Sequence, residues 1–164
     1  MATEKHSAQQ ALVLASGVGE VIPARPEGSS VTIKVGGPFL QCPVTVAEGL
    51  FDPSREAPQW TSAHRHHQFT EMTYVLEGDM TFLLGEDLHR VEAGAFICVP
   101  PEMVHAYLPS RERTTRVLFI ALPGGFEGMF EEAGHMPPDA DPRAFWSALN
   151  QKYDTEVVGP PPQL

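Results

Sequence analysis

Cysteine and positive charge are what this chain has least of. Its 164 residues hold two cysteines, Cys42 and Cys98, and 11 lysines and arginines against 21 acidic residues, for a formal net charge of −10. Two isolated cysteines within apolar, strand-like runs are expected to be reduced core residues, not a disulfide or a metal pair. So acidic a chain would be repelled by a phosphate backbone, and it shows no basic cluster or recognition-helix pattern, so nucleic acid is excluded as a partner. No apolar run approaches bilayer length; Val117 to Leu122 is strand-sized. The first ten residues are polar, and the run Ala11 to Ala15 is too short for the apolar core of a secretion signal. A cytoplasmic protein without a membrane partner is therefore expected. P-loop, G-x-S-x-G and C-x-x-C patterns are missing, and Gly17-Val18-Gly19 does not continue into a dinucleotide fingerprint.

With 42% apolar and 20% charged residues, the chain reads as one ordinary globular domain over residues 1–164. From Ser30 to Leu122 it is a succession of short β-type runs separated by turns. Val31 to Val35 alternates and breaks at Gly36-Gly37-Pro38; Thr70 to Leu76 turns at Glu77-Gly78-Asp79 into Met80 to Leu84; Gly85-Glu86-Asp87 leads into Leu88 to Glu92. Ala95 to Val99, Met103 to Leu108 and Arg116 to Leu122 complete the set, a pattern typical of a β-sandwich or barrel. Residues 1–29 are read as an N-terminal extension, 30–122 as the β-barrel, and 123–164 as a helical segment and tail. In that last part Asp141-Pro142 is a helix start, with Asp as N-cap and Pro in the first position. Phe145, Leu149 and Tyr153 then form one stripe that packs the helix on the outside of the barrel, while Phe126, Met129 and Phe130 suggest a shorter helix before it.

The chemistry is concentrated at His64-Arg65-His66-His67-Gln68-Phe69-Thr70-Glu71 and, downstream, at His105. Imidazole and carboxylate together suit a first-row divalent ion. On a strand His64 and His66 share a face, which turns Arg65 and His67 outward. Glu71 has the wrong parity for that face, so a bend or bulge at Gln68-Phe69-Thr70 must reset it. By the same parity Thr73, Val75, Met103 and Tyr107 are candidates to wall a pocket around the ion.

These residues, with Gly78, match the pattern H-x-H, three or four residues, Glu, six residues, Gly. Gly94, Pro100 and His105 match a second pattern. Together the two resemble the conserved motifs of the cupin superfamily. That resemblance implies an all-β, cupin-type double-stranded β-helix (jelly-roll) barrel with one or two C-terminal helices. It also makes His64, His66, Glu71 and His105 the ligands of one divalent transition metal ion: Fe, Ni, Co, Mn, Cu or Zn. Three positions depart from the family pattern: Pro58 and Glu102 stand where glycines are usual, and Pro109 stands where Asn is usual. Tyr74-Val75-Leu76-Glu77-Gly78, Val99-Pro100-Pro101 and Val157-Val158-Gly159-Pro160-Pro161 further resemble single-domain bacterial cupins of the quercetin 2,3-dioxygenase-like group.

The closer resemblance implies a metal-dependent dioxygenase acting on an aromatic, flavonol-like or enol-type small molecule, with dioxygen as co-substrate. Glu71 would then be a catalytic base on a substrate hydroxyl as well as a ligand. The same open metal position would serve a non-redox isomerase, cyclase or lyase, for example in natural-product biosynthesis, or a binding module without turnover. Apolar runs between Ala11 and Val35 exceed what a minimal barrel needs. Related single-domain proteins pair through such segments, so a homodimer is expected.

Overall fold

The computed structural model describes residues 11–24, 29–36, 43–54 and 61–162. Two antiparallel sheets face each other. The larger has the order β1-β2-β3-β10-β5-β8, from Glu20–Ala24, Ser29–Val35, Thr45–Phe51, Thr115–Leu122, Thr70–Glu77 and Phe96–Val99. The smaller has the order β11-β4-β9-β6-β7, from Thr155–Gly159, Ala63–His66, His105–Pro109, Asp79–Leu84 and Asp87–Glu92. Consecutive strands such as β5 and β6 thus fall in opposite sheets, and the result is a double-stranded β-helix barrel of the expected class.

Alternation in the sequence explains which residues turn inward. Thr45, Ala47 and Gly49 alternate with more exposed neighbours along β3, and Glu71, Thr73 and Val75 do so along β5. Val75, Met80, Phe82, Ile97, Val99 and Val117 meet between the sheets as the main core cluster. Each such buried side chain contributes about 1.5–3 kcal/mol relative to exposure. Gly78 makes the sheet-to-sheet crossing. Its φ is +77°, and a Cβ there would lie 2.3 Å from the Thr114 carbonyl oxygen, so only glycine fits the turn.

Two helices, α1 (Glu127–Gly134) and α2 (Pro142–Lys152), follow the barrel strands. The α2 start is as the sequence indicates: the Asp141 carboxylate accepts from Arg143 N at 3.0 Å, with Pro142 in the first position. Leu149 is buried, and Tyr153 donates its hydroxyl to Glu132 of α1 at 2.6 Å, so the stripe faces α1 and the barrel. No helix among the described residues is long and apolar enough to cross a membrane.

Three observations differ from the sequence reading or add to it. Cys98 is exposed, not a core residue, because β8 sends Ile97 and Val99 inward and Phe96 and Cys98 outward; Cys42 and Pro58 lie outside the described residues. The stretch read as an N-terminal extension contributes β1 to the larger sheet. The stretch read as a tail contributes β11, which pairs with β4 beside His64 and His66.

Candidate metal centre

Three strands deliver the four candidate ligands. His64 and His66 stand on β4, His105 opens β9 directly opposite His64, and Glu71 reaches across from β5 in the other sheet. The ligand atoms of His64, His66, Glu71 and His105 all lie within 4.8 Å of one another. The expected interruption is present. After His66 the chain leaves the strand, re-enters at Thr70, and Glu71 then turns inward.

Each imidazole is held the same way. His64 Nδ1 bonds the Ser62 carbonyl at 2.8 Å, His66 Nδ1 that of Asp154 at 2.9 Å, and His105 Nδ1 that of Met103 at 3.0 Å. A carbonyl only accepts, so Nδ1 carries the proton in all three, and Nε2 is left with its lone pair toward the centre. Nε2 of His66 and Nε2 of His105 are buried without a hydrogen-bond partner, although Glu71 Oε2 lies 3.4 and 3.5 Å away. Buried polar atoms rarely stay unpaired. Orphaned lone pairs and a carboxylate aimed at one point fit a divalent cation.

The electrostatics agree. Burial works to raise the pKa of Glu71, but the imidazoles of His105 and His66 outweigh it and hold the carboxyl well below its usual range. Burial first, then the charge of His105, brings His64 down to about 4, so it is neutral and ligand-competent at pH 7. His105 is also disfavoured as a cation by burial, yet the adjacent Glu71 carboxylate pulls it upward. A cation between them would take the place of that proton.

The cluster opens onto a cavity of about 1200 Å³ whose walls are mainly apolar and aromatic, among them Phe51, Tyr107, Phe119, Phe126, Phe130 and Trp146. The Phe126 ring meets that of His66 edge-on at 5.3 Å. Among the described residues, no lysine or arginine lines this space. Burial, with the charge of Glu71 adding to it, pushes the Tyr107 hydroxyl well above its usual range, so it stays a neutral phenol.

Of the side chains proposed as walls, Thr73 and Tyr107 line the cavity. Val75 does not; it sits deeper along β5, inside the core cluster. Met103 does not either, because it lies in the turn before β9, where strand parity has not begun, and is 37% exposed. His67 points outward as expected and pairs with Glu102 at 2.9 Å and Glu156 at 3.2 Å. Sequence reasoning missed Asp154, Phe126 and Trp146. For Trp146 and Phe126 the signal was an aromatic residue on a helical segment that flanks the barrel mouth.

Comparison with known proteins bears on the fold. Residues 51–121 match the family model of the cupin domain. The polyketide cyclase RemF from Streptomyces resistomycificus shares the fold with a TM-score of 0.56 at 20% identity, over 68% of this chain and 79% of that one. KdgF from a Halomonas species gives 0.55 at 15% identity, over 70% of this chain and 94% of that one. An RmlC-like cupin from Shewanella frigidimarina gives 0.52 at 15% identity, over 73% and 98%. Identities this low show the fold alone, and no curated protein sequence matches the chain. The two-sheet barrel and the inward His/Glu cluster thus coincide with the part of the chain, residues 51–121, that matches the cupin domain model.

Proposed function

We propose that this chain is a metal-dependent dioxygenase acting on an apolar aromatic, flavonol-like or enol-type molecule, with His64, His66, Glu71 and His105 as ligands of one divalent transition metal ion. The observation that carries the reading is that three members of the cluster, His64, His66 and Glu71, line a large cavity whose other walls are mainly aromatic and aliphatic. When bound, the ion supplies Lewis acidity and an open position for a substrate oxygen or dioxygen. The protein supplies the rest. Three backbone carbonyls fix the imidazoles, and Phe119, Phe126 and Phe130, packed edge-on or tilted at 5.4–5.5 Å, form one aromatic wall of the cavity. Glu71 receives the proton of a substrate hydroxyl.

A second reading is favoured by one feature. Tyr107 brings a phenol O–H into the same cavity as the carboxylate of Glu71, a hydrogen-bond donor for an enolate oxygen beside a proton acceptor, as an enolate-forming isomerase, cyclase or lyase would use.

One experiment separates the two. Loaded protein is mixed anaerobically with quercetin, and the flavonol band is followed. A red shift followed by bleaching and oxygen uptake on admission of air supports the dioxygenase. A red shift without oxygen uptake supports the second reading, and no shift removes flavonol-type substrates. Glu71→Gln should lower turnover by about 10²-fold, the weak end of the general-base range, because its neighbours hold its pKa low. We further propose a cytoplasmic homodimer. It is supported by β1, an edge strand with Val21 59% exposed. Light scattering that returned the 17.9 kDa monomer mass would reject it.

A further inference from the structure

The turn between α2 and β11 touches the candidate metal centre twice. Its residue, Asp154, has φ = +52°, a left-handed conformation uncommon for a residue with a side chain. In that conformation its carbonyl receives the His66 Nδ1 proton at 2.9 Å. Its carboxylate Oδ2 points back at the segment between β4 and β5 and accepts from His67 N at 3.0 Å and Gln68 N at 2.7 Å. Those two amides belong to the interruption that gives Glu71 its inward parity. One residue, 83 or more positions downstream in sequence, therefore grips both the ring of one ligand and the backbone that aims another.

We propose that Asp154 is a positioning residue of the metal centre: it sets the orientation of His66 and, through the two amides, the turn that presents Glu71. The inference rests on the metal-centre reading above. Two hydrogen bonds donated by adjacent amides to one carboxylate oxygen make a rigid clamp, since bonds to an ionised acceptor are about twice as strong as neutral ones. The strand β11 that follows pairs Thr155 with His66 and Val157 with His64, so the clamp is itself held in register.

Three variants separate positioning from turn formation, with Co2+ alone as the probe. Its visible absorption band reports ligand geometry, and competition with a chelator reports affinity. Asp154→Asn tolerates the left-handed backbone and keeps a neutral oxygen acceptor, so its affinity should fall between wild type and the glycine variant, with a band close to wild type. Asp154→Gly keeps the backbone conformation and the carbonyl but loses the clamp; it should bind Co2+ about 10–100-fold more weakly, with an altered band. Asp154→Ala should be at least as weak. A glycine variant with wild-type affinity and spectrum would overturn the proposal, leaving Asp154 as a turn former only. Loss of binding in the asparagine variant equal to that in glycine would overturn it too. Wild-type protein that takes up no Co2+ would instead refute the metal centre itself, and this inference with it.

Discussion

Thermal stability should depend on the metal, because the orphaned nitrogens need a partner and mass action sets the gain. Nε2 of His66 and Nε2 of His105 are buried with no hydrogen-bond partner. Each such atom costs a folded protein about 1–3 kcal/mol. Glu71 Oε2, 3.4 and 3.5 Å away, is itself an acceptor and cannot answer a lone pair. A cation at that point satisfies both and binds only the folded chain, because the unfolded chain does not bring β4, β5 and β9 together. At a free metal concentration of 100 times Kd, mass action adds about 2.7 kcal/mol. For a chain of this size each kcal/mol moves Tm by about 2–4 °C, so the gain is roughly 5–11 °C. Calorimetric melts in chelator and in Co2+ or Zn2+ measure it directly. His66→Ala and His105→Ala should each abolish the metal-dependent part, while melting lower themselves because a filled, buried position has been emptied. Coincident melts of wild-type protein with and without metal would refute the reasoning, since the orphaned nitrogens would then have no ligand to meet.

Acid stability should hinge partly on Asp79, whose carboxylate is buried yet reaches Arg113 Nε at 2.6 Å and Arg90 Nη2 at 3.2 Å. Burial raises its pKa, but the Arg113 guanidinium outweighs that and leaves it below the usual range. The unfolded chain therefore binds the proton first, so this contribution is present above the ordinary carboxyl pKa of about 4 and fades as pH falls through the folded value. Asp79→Asn should lose about 1 kcal/mol at pH 7, discounted because both arginines are exposed, and show a flatter stability slope below about pH 4 in urea titrations; an unchanged slope would refute it. Glu102, at φ = +68°, stands where the family pattern has glycine. Glu102→Gly should therefore be more stable than Glu102→Ala by about 1 kcal/mol, with the exposed pairs to His67 and Arg65 lost in both. An alanine variant as stable as the glycine one would show that the backbone there carries no strain.

The barrel and its cluster were legible because both are written in short-range pattern. Alternation along Val31 to Val35 and Thr70 to Leu76 marks which face is inward, and Gly78 marks a crossing that its φ requires. His64 and His66 announce a shared face by spacing alone, and the wrong parity of Glu71 was itself informative, since it demanded the interruption that the structure contains. Glu102 was visible as a departure from a glycine position, and the structure gives the physical reason a glycine suits it: the backbone is left-handed there.

What escaped the sequence is contact between distant segments. Val157 and Val158 belong to a five-residue strand with partly exposed faces, too short and too weakly alternating to be separated from a tail. Its identity as a strand is imposed by β4, whose free edge pairs with it, and no local propensity encodes such a partner. Asp154 was hidden for the same reason. An aspartate just after a helix reads as an ordinary turn residue, since a short polar side chain tolerates the left-handed region. That its carbonyl should reach His66 and its carboxylate the amides of His67 and Gln68 follows only when α2 has packed on the barrel through Leu149 and returned the chain to β4. The motif therefore names the atoms that can meet a metal, while the fold's last strand helps decide how firmly they are held.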